Sequence, residues 1–162
     1  MKGNLFTLSI MILIVLGCKK DNDLMRLDNR ILEVRNINIS QCKSEVITND
    51  LNVTYDENSE EYLKIQTVDS NFLKINHCDV WFNCYPSIEI TAKIENRVII
   101  YSATDTLPLY NCVCLYDLEC NIGPLEFTQF TFEYHRAGTL IKKFNLNFNN
   151  STNEIYKINY PI

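Results

Sequence analysis

The side chains of this chain with the widest chemical range are six of its seven cysteines, Cys42, Cys78, Cys84, Cys112, Cys114 and Cys120, and two histidines, His77 and His135, with Cys18 set apart at the N-terminus. Thiols serve as nucleophiles, metal ligands, redox couples or cross-links, and imidazoles move protons near neutral pH. Spacing separates these uses. Zinc sites favour paired C-x2-C ligands on tight turns, whereas Cys112-Val113-Cys114 is a C-x-C inside an apolar, strand-like run. The metal alternative is a site built from His77, Cys84, Cys112 and Cys114, with Cys78 and His135 as further donors. A redox pair would want a thiol of low pKa at a helix start, and no such helix is legible. For acid–base or nucleophilic work the candidates are Asp79 beside His77, Asp117, and the serines Ser87 and Ser102. None sits in a nucleophile-elbow, phosphate-loop or H-E-x-x-H pattern. The plainer role for Asp117 is to bond backbone groups at a strand end. The preferred reading is therefore structural disulfides, no cofactor and no catalysis.

The elements that must position these groups show a period of two. Ile88, Ile90, Ala92 and Ile94 interleave with Glu89, Thr91, Lys93 and Glu95. Phe130, Phe132 and Tyr134 interleave with polar residues, as do Phe144, Leu146 and Phe148. Strict alternation gives a strand one dry face and one wet face. Weaker alternation runs over 31–39, 62–68, 72–77, 97–102, 109–118 and 155–160. About nine short strands with brief polar breaks predict an all-β fold, a single antiparallel β-sandwich of Ig-like character over 31–162. The acidic stretch from Asn49 to Glu61 reads as an exposed loop or a poorly ordered hairpin tip. Trp81 and Phe82 point to opposite faces if their segment is a strand, which leaves Trp81 as a weak binding candidate.

Parity constrains the cysteines. On one strand Cys112, Cys114 and Cys120 share a face with Tyr116, Leu118 and Ile122, so their thiols face the core. Residues two apart on a strand are roughly 7 Å apart, beyond disulfide reach, so Cys112 and Cys114 each need a partner on a neighbouring strand or on the facing sheet. Cys84 is expected to pair with Cys112 or Cys114. A bridge closing a loop of about 30 residues contributes about 3 to 4 kcal/mol. An even set of six cysteines is what a fully bridged, exported domain requires, although sequence does not choose among the pairings.

Export is readable at the N-terminus. Lys2 precedes an apolar run from Leu8 to Leu16, followed by Gly17 and Cys18. This is the order of a secretory signal peptide, and the run is shorter than the roughly 20 residues of a membrane span. Val15-Leu16-Gly17-Cys18 resembles the lipobox of bacterial lipoproteins. The resemblance implies removal of 1–17, then diacylglycerol and palmitate on Cys18, with 18–30 as a lipidated tether that holds the protein on a membrane. Lys19-Lys20-Asp21-Asn22-Asp23 is similar to the charged tract of Bacteroides-type lipoproteins, which implies an outer-membrane attachment with display at the cell surface. The net charge of −5 and the lack of a basic stripe exclude nucleic acid as an expected partner.

Further along, Ile75-Asn76-His77, Phe82-Asn83-Cys84 with Pro86, Asn111-Cys112-Val113-Cys114-Leu115-Tyr116-Asp117-Leu118 and Ile122-Gly123-Pro124-Leu125 resemble a group of small, uncharacterised lipoproteins of Bacteroides and its relatives. The likeness spans about residues 73–134. It implies an extracytoplasmic β-sandwich-like domain and no established activity. Tyr85 stands at that group's second adjacent cysteine, and Phe130 at a tyrosine. The expected function is a non-catalytic binding or structural module with an unknown protein or glycan ligand. The alternative is a small enzyme inhibitor or a metal-binding periplasmic lipoprotein.

Overall fold

The computed structural model describes residues 29–43, 60–107 and 112–159, and the backbone of 45–47. The signal peptide, Cys18 and its tether, and most of the acidic stretch lie outside these residues. Among the described residues, eleven strands follow in order: β1 (Arg30–Ile31), β2 (Glu33–Ile39), β3 (Glu45–Ile47), β4 (Tyr62–Val68), β5 (Phe72–Asn83), β6 (Ile88–Glu95), β7 (Val98–Asp105), β8 (Cys112–Gly123), β9 (Gln129–Arg136), β10 (Thr139–Asn147) and β11 (Asn153–Lys157). They form two sheets, a five-stranded one ordered β1-β6-β7-β9-β10 and a six-stranded one ordered β11-β4-β5-β8-β2, with β3 also on β8. The alternating residues behave as their period demands. Leu63, Ile65, Leu73 and Ile75 from one sheet, and Ile99, Tyr101, Phe132 and Tyr134 from the other, have no exposed surface. Each such side chain contributes about 1.5 to 3 kcal/mol by leaving water.

Two features differ from the expected pattern. β7 and β9 pair in parallel, with Val98 opposite Thr131 and Ser102 opposite His135. The chain reaches this pairing because β8 crosses to the other sheet between them, a long connection of the kind parallel neighbours need. β5 also continues well past His77. The alternation that ends there is re-phased by a bulge: Cys78 and Asp79 together oppose one residue of β8, between the pairs His77–Leu118 and Val80–Tyr116. Asp79 takes a positive φ of 57°, and His77, Val80 and Phe82 all end up in the core.

The disulfides are Cys42–Cys114 and Cys84–Cys112, with Cα–Cα distances of 5.6 and 5.5 Å. Both lie within the six-stranded sheet, since the Cys84 N–H donates to the Cys112 carbonyl (3.2 Å) and the Lys43 N–H to the Leu115 carbonyl (2.9 Å). The core-facing parity of β8 is as read, but neighbouring segments, not the facing sheet, supply the partners. Full bridging is corrected: Cys78 and Cys120 are free thiols. Cys120 opposes Ile75 on the buried face, whereas Cys78 opposes Tyr62 on the outer face, so the sheet itself separates them. At the corner after β8, a Cβ on Gly123 would lie 2.8 Å from the Asn71 carbonyl and 2.8 Å from the Phe72 ring. Only glycine permits that approach, which lets the Leu125 N–H reach the Asn71 carbonyl at 2.8 Å.

Candidate functional site

His77 stands at the centre of a polar network between the sheets, buried except at Arg136. Its Nε2–H donates to Glu61 Oε1 at 2.7 Å, and Arg136 Nη2 donates to both Glu61 oxygens at 2.8 and 2.9 Å. Arg136 Nε donates to the Tyr134 hydroxyl at 2.9 Å, and the Tyr101 hydroxyl lies 3.5 Å from His77 Nδ1. An ionised carboxylate only accepts, which places the imidazole proton on Nε2. Burial lowers the His77 pKa against the opposing pull of Glu61, so the ring is neutral. Burial also drives Tyr101 well above the ordinary tyrosine range. His77 and Glu61 have almost no contact with solvent, and no substrate atom reaches them. The pairing of His77 with Asp79 is corrected, because the bulge sends the Asp79 side chain to the outer face. Glu61 is not part of an exposed loop: it is 4% exposed and heads β4 in phase with Leu63 and Ile65. That phase was the signal that could have found it.

On the outer face the Asp117 carboxylate fills the bulge. Its Oδ1 accepts the Asp79 N–H at 3.1 Å and Lys43 Nζ at 2.8 Å, while Lys43 also donates to Asp79 Oδ1 at 2.6 Å. Partial burial pulls the Lys43 pKa down, but the two carboxylates outweigh it and hold it raised. Asp117 bonds backbone as expected, at a mid-sheet bulge instead of a strand end. Burial raises the Cys78 pKa, and it pushes Cys120 up to about 12. Neither thiol supplies a thiolate near neutral pH, the form that attacks or ligates.

The metal alternative is corrected by the same geometry. Cys84 and Cys112 share one bridge, Cys114 is bound to Cys42, and His77 is committed to Glu61. Among the described residues no three donors gather for a metal ion. Register does bring Ser102 beside His135, whose Nε2 lies 3.1 Å from Glu133 Oε2. The Ser102 hydroxyl pairs with Thr104 at 3.3 Å. In the middle of a sheet the backbone N–H groups are spent in the ladder, so no oxyanion donors face this serine. Ser87 bonds Asp105 through its backbone at 3.0 Å and meets no histidine bond. Trp81 is half-buried on the outer face of the six-stranded sheet, opposite Leu115.

Among the described residues, a groove of about 740 Å³ opens on the five-stranded sheet. Its floor is made by register: Thr131 pairs with Asn145, and Gln129 with Asn147. Alternation turns these four outward while Phe130, Phe132 and Leu146 face the core. One wall is the two-residue hairpin turn Asn96-Arg97, with φ of 52° and 66°. Positive φ at both positions is the type I′ geometry that suits the twist of paired strands. Arginine seldom adopts it, and it is pinned here: the Thr131 N–H donates to the Arg97 carbonyl at 3.0 Å, and Arg97 Nη2 to Thr128 Oγ1 at 2.5 Å. The other wall is Glu154, which accepts the Tyr156 hydroxyl while the Tyr156 ring stacks on Phe144. The side-chain amides of Gln129, Asn145 and Asn147 have no hydrogen-bond partner among the described residues. Sequence reading took these amides as an ordinary wet face, because alternation alone does not show which wet face is walled. Comparison with family models, curated proteins and solved structures finds no match. Function is therefore argued from the site alone.

Proposed function

We propose that this chain is a non-catalytic binding domain, anchored at the outer membrane through a lipidated Cys18 and displayed at the cell surface. The observation that carries the binding role is the groove, which holds spare amide donors and acceptors, whereas the histidine and four of the cysteines are consumed in internal bonds. Two disulfides support export, since such bridges persist in oxidising compartments. The anchor rests on the lipobox-like Val15-Leu16-Gly17-Cys18. The test is growth of expressing cells with an alkyne-bearing palmitate. Label on the wild type and none on Cys18→Ser, together with loss of the protein to external protease on intact cells, is the expected result. An unlabelled mature protein, or one protected until the outer membrane is opened, overturns the anchored or the surface part respectively.

A further inference from the structure

We infer that the groove on the five-stranded sheet takes a neutral oligosaccharide; this rests on the binding role just proposed. The lining chemistry selects the ligand class. Each amide of Gln129, Asn145 and Asn147 presents two N–H donors and a carbonyl acceptor on one plane, and the Thr131 hydroxyl does both. Sugar hydroxyls likewise donate and accept, so vicinal pairs match side-chain amides. Phosphates and carboxylates only accept, and they would leave the amide carbonyls unmet.

Charge points the same way. The groove has one cation, Arg97, which already donates to Thr128, and one anion, Glu154. These cancel, so the site has no net field to draw a polyanion or a basic peptide. A peptide strand is also a poor fit. β9 is paired on both sides, with β7 and β10, and on the edge strand β10 the Asn145 and Asn147 carbonyls already accept the Tyr156 and Thr152 hydroxyls, so the acceptors a peptide strand would need there are taken. Its apolar residues, Phe130 and Leu146, are buried and supply no anchor for a peptide side chain.

The groove is held in shape before any ligand arrives. The four floor residues are fixed by strand register, and the Arg97 turn is tied by hydrogen bonds to Thr131 of β9 and to Thr128 just before it. Rigid polar groups lose little entropy on binding.

The experiment is titration calorimetry on the full-length mature protein, solubilised in a detergent without a sugar headgroup. The probes are the hexaoses of cellulose, starch, mannan and chitin, with a galacturonate hexamer and a mixed peptide pool as controls. Binding of at least one neutral hexaose is expected, unchanged between low and high salt. In the Asn145→Ala/Asn147→Ala double variant that binding should weaken by about tenfold or more, with the unfolding midpoint preserved. Binding that survives the double variant overturns the assignment of the groove. If only the galacturonate or a peptide binds, and the double variant abolishes it, the neutral-sugar inference falls while the binding role stands. If no probe binds, the inference falls, and the binding role loses its supporting site as well.

Discussion

The two sheets of this sandwich are held by different means. The six-stranded sheet carries or adjoins every described cysteine, both disulfides, and the salt-bridged bulge at Cys78 and Asp79. The five-stranded sheet has no cysteine in its strands and relies on register and apolar alternation. The difference follows from what each must hold. In the first, β8 carries β5, β2 and β3, and two irregular segments, 40–43 and 84–87, have to be fixed to it. In the second, hairpins and a parallel pair of ordinary length close the ladder without cross-links. The regular layer is the one that presents a groove of spare amides, and in the reinforced layer His77 and four cysteines are spent in internal bonds.

If this contrast is real, cutting the covalent ties has the largest effect. Serine at both Cys42 and Cys114, which are 72 residues apart, is expected to cost about 4.5 kcal/mol, and serine at both Cys84 and Cys112, 28 apart, about 3.5 kcal/mol. Urea midpoints measure both, and a loss under 1 kcal/mol for both pairs would erase the distinction between the layers. The same protein, denatured without reductant, should alkylate at Cys78 and Cys120 alone. Next in size is Glu61→Gln, which strands Arg136 against a neutral amide. About 3 kcal/mol is expected, at the low end for a broken buried pair because Arg136 keeps some solvent contact. An unchanged midpoint would mean that the network contributes nothing net.

Acid should act through His77. Burial lowers its folded pKa below the unfolded value of about 6.5. The unfolded chain therefore binds the proton first, and stability falls as pH drops below that value. Thermal midpoints at successive pH values, compared with His77→Gln, isolate this term; parallel curves for the two proteins would rule it out. Smallest of all is the groove. Asn145→Ala should change stability by no more than about 0.5 kcal/mol, since its side chain bonds nothing among the described residues. A loss above 1 kcal/mol would make it a structural residue and remove the contrast between a spare-amide layer and a reinforced one.

Much of this architecture is legible in the chain. The alternation at Ile88–Glu95 and Gln129–Arg136 gives strands at those places, with the buried faces as read. Parity on β8 put Cys112, Cys114 and Cys120 on the core side, and the rise per residue excluded a bridge between the first two. What failed did so where local pattern stops being informative. Alternation breaks at Cys78 because two residues there oppose one, and a bulge has no sequence period. Glu61 reads as solvated because a carboxylate usually is; only the arrival of Arg136 and His77 from other strands makes its burial tolerable.

The order of apolar and polar residues alone determined that this is a two-layer β protein with the β8 thiols facing inward, because side-chain direction in a regular strand depends only on position. Which thiols meet, which carboxylate the histidine finds, and which wet face acquires walls were decided by strand pairing across the fold. These depend on contacts between residues far apart in the chain, and a one-dimensional pattern does not encode distances across a sheet.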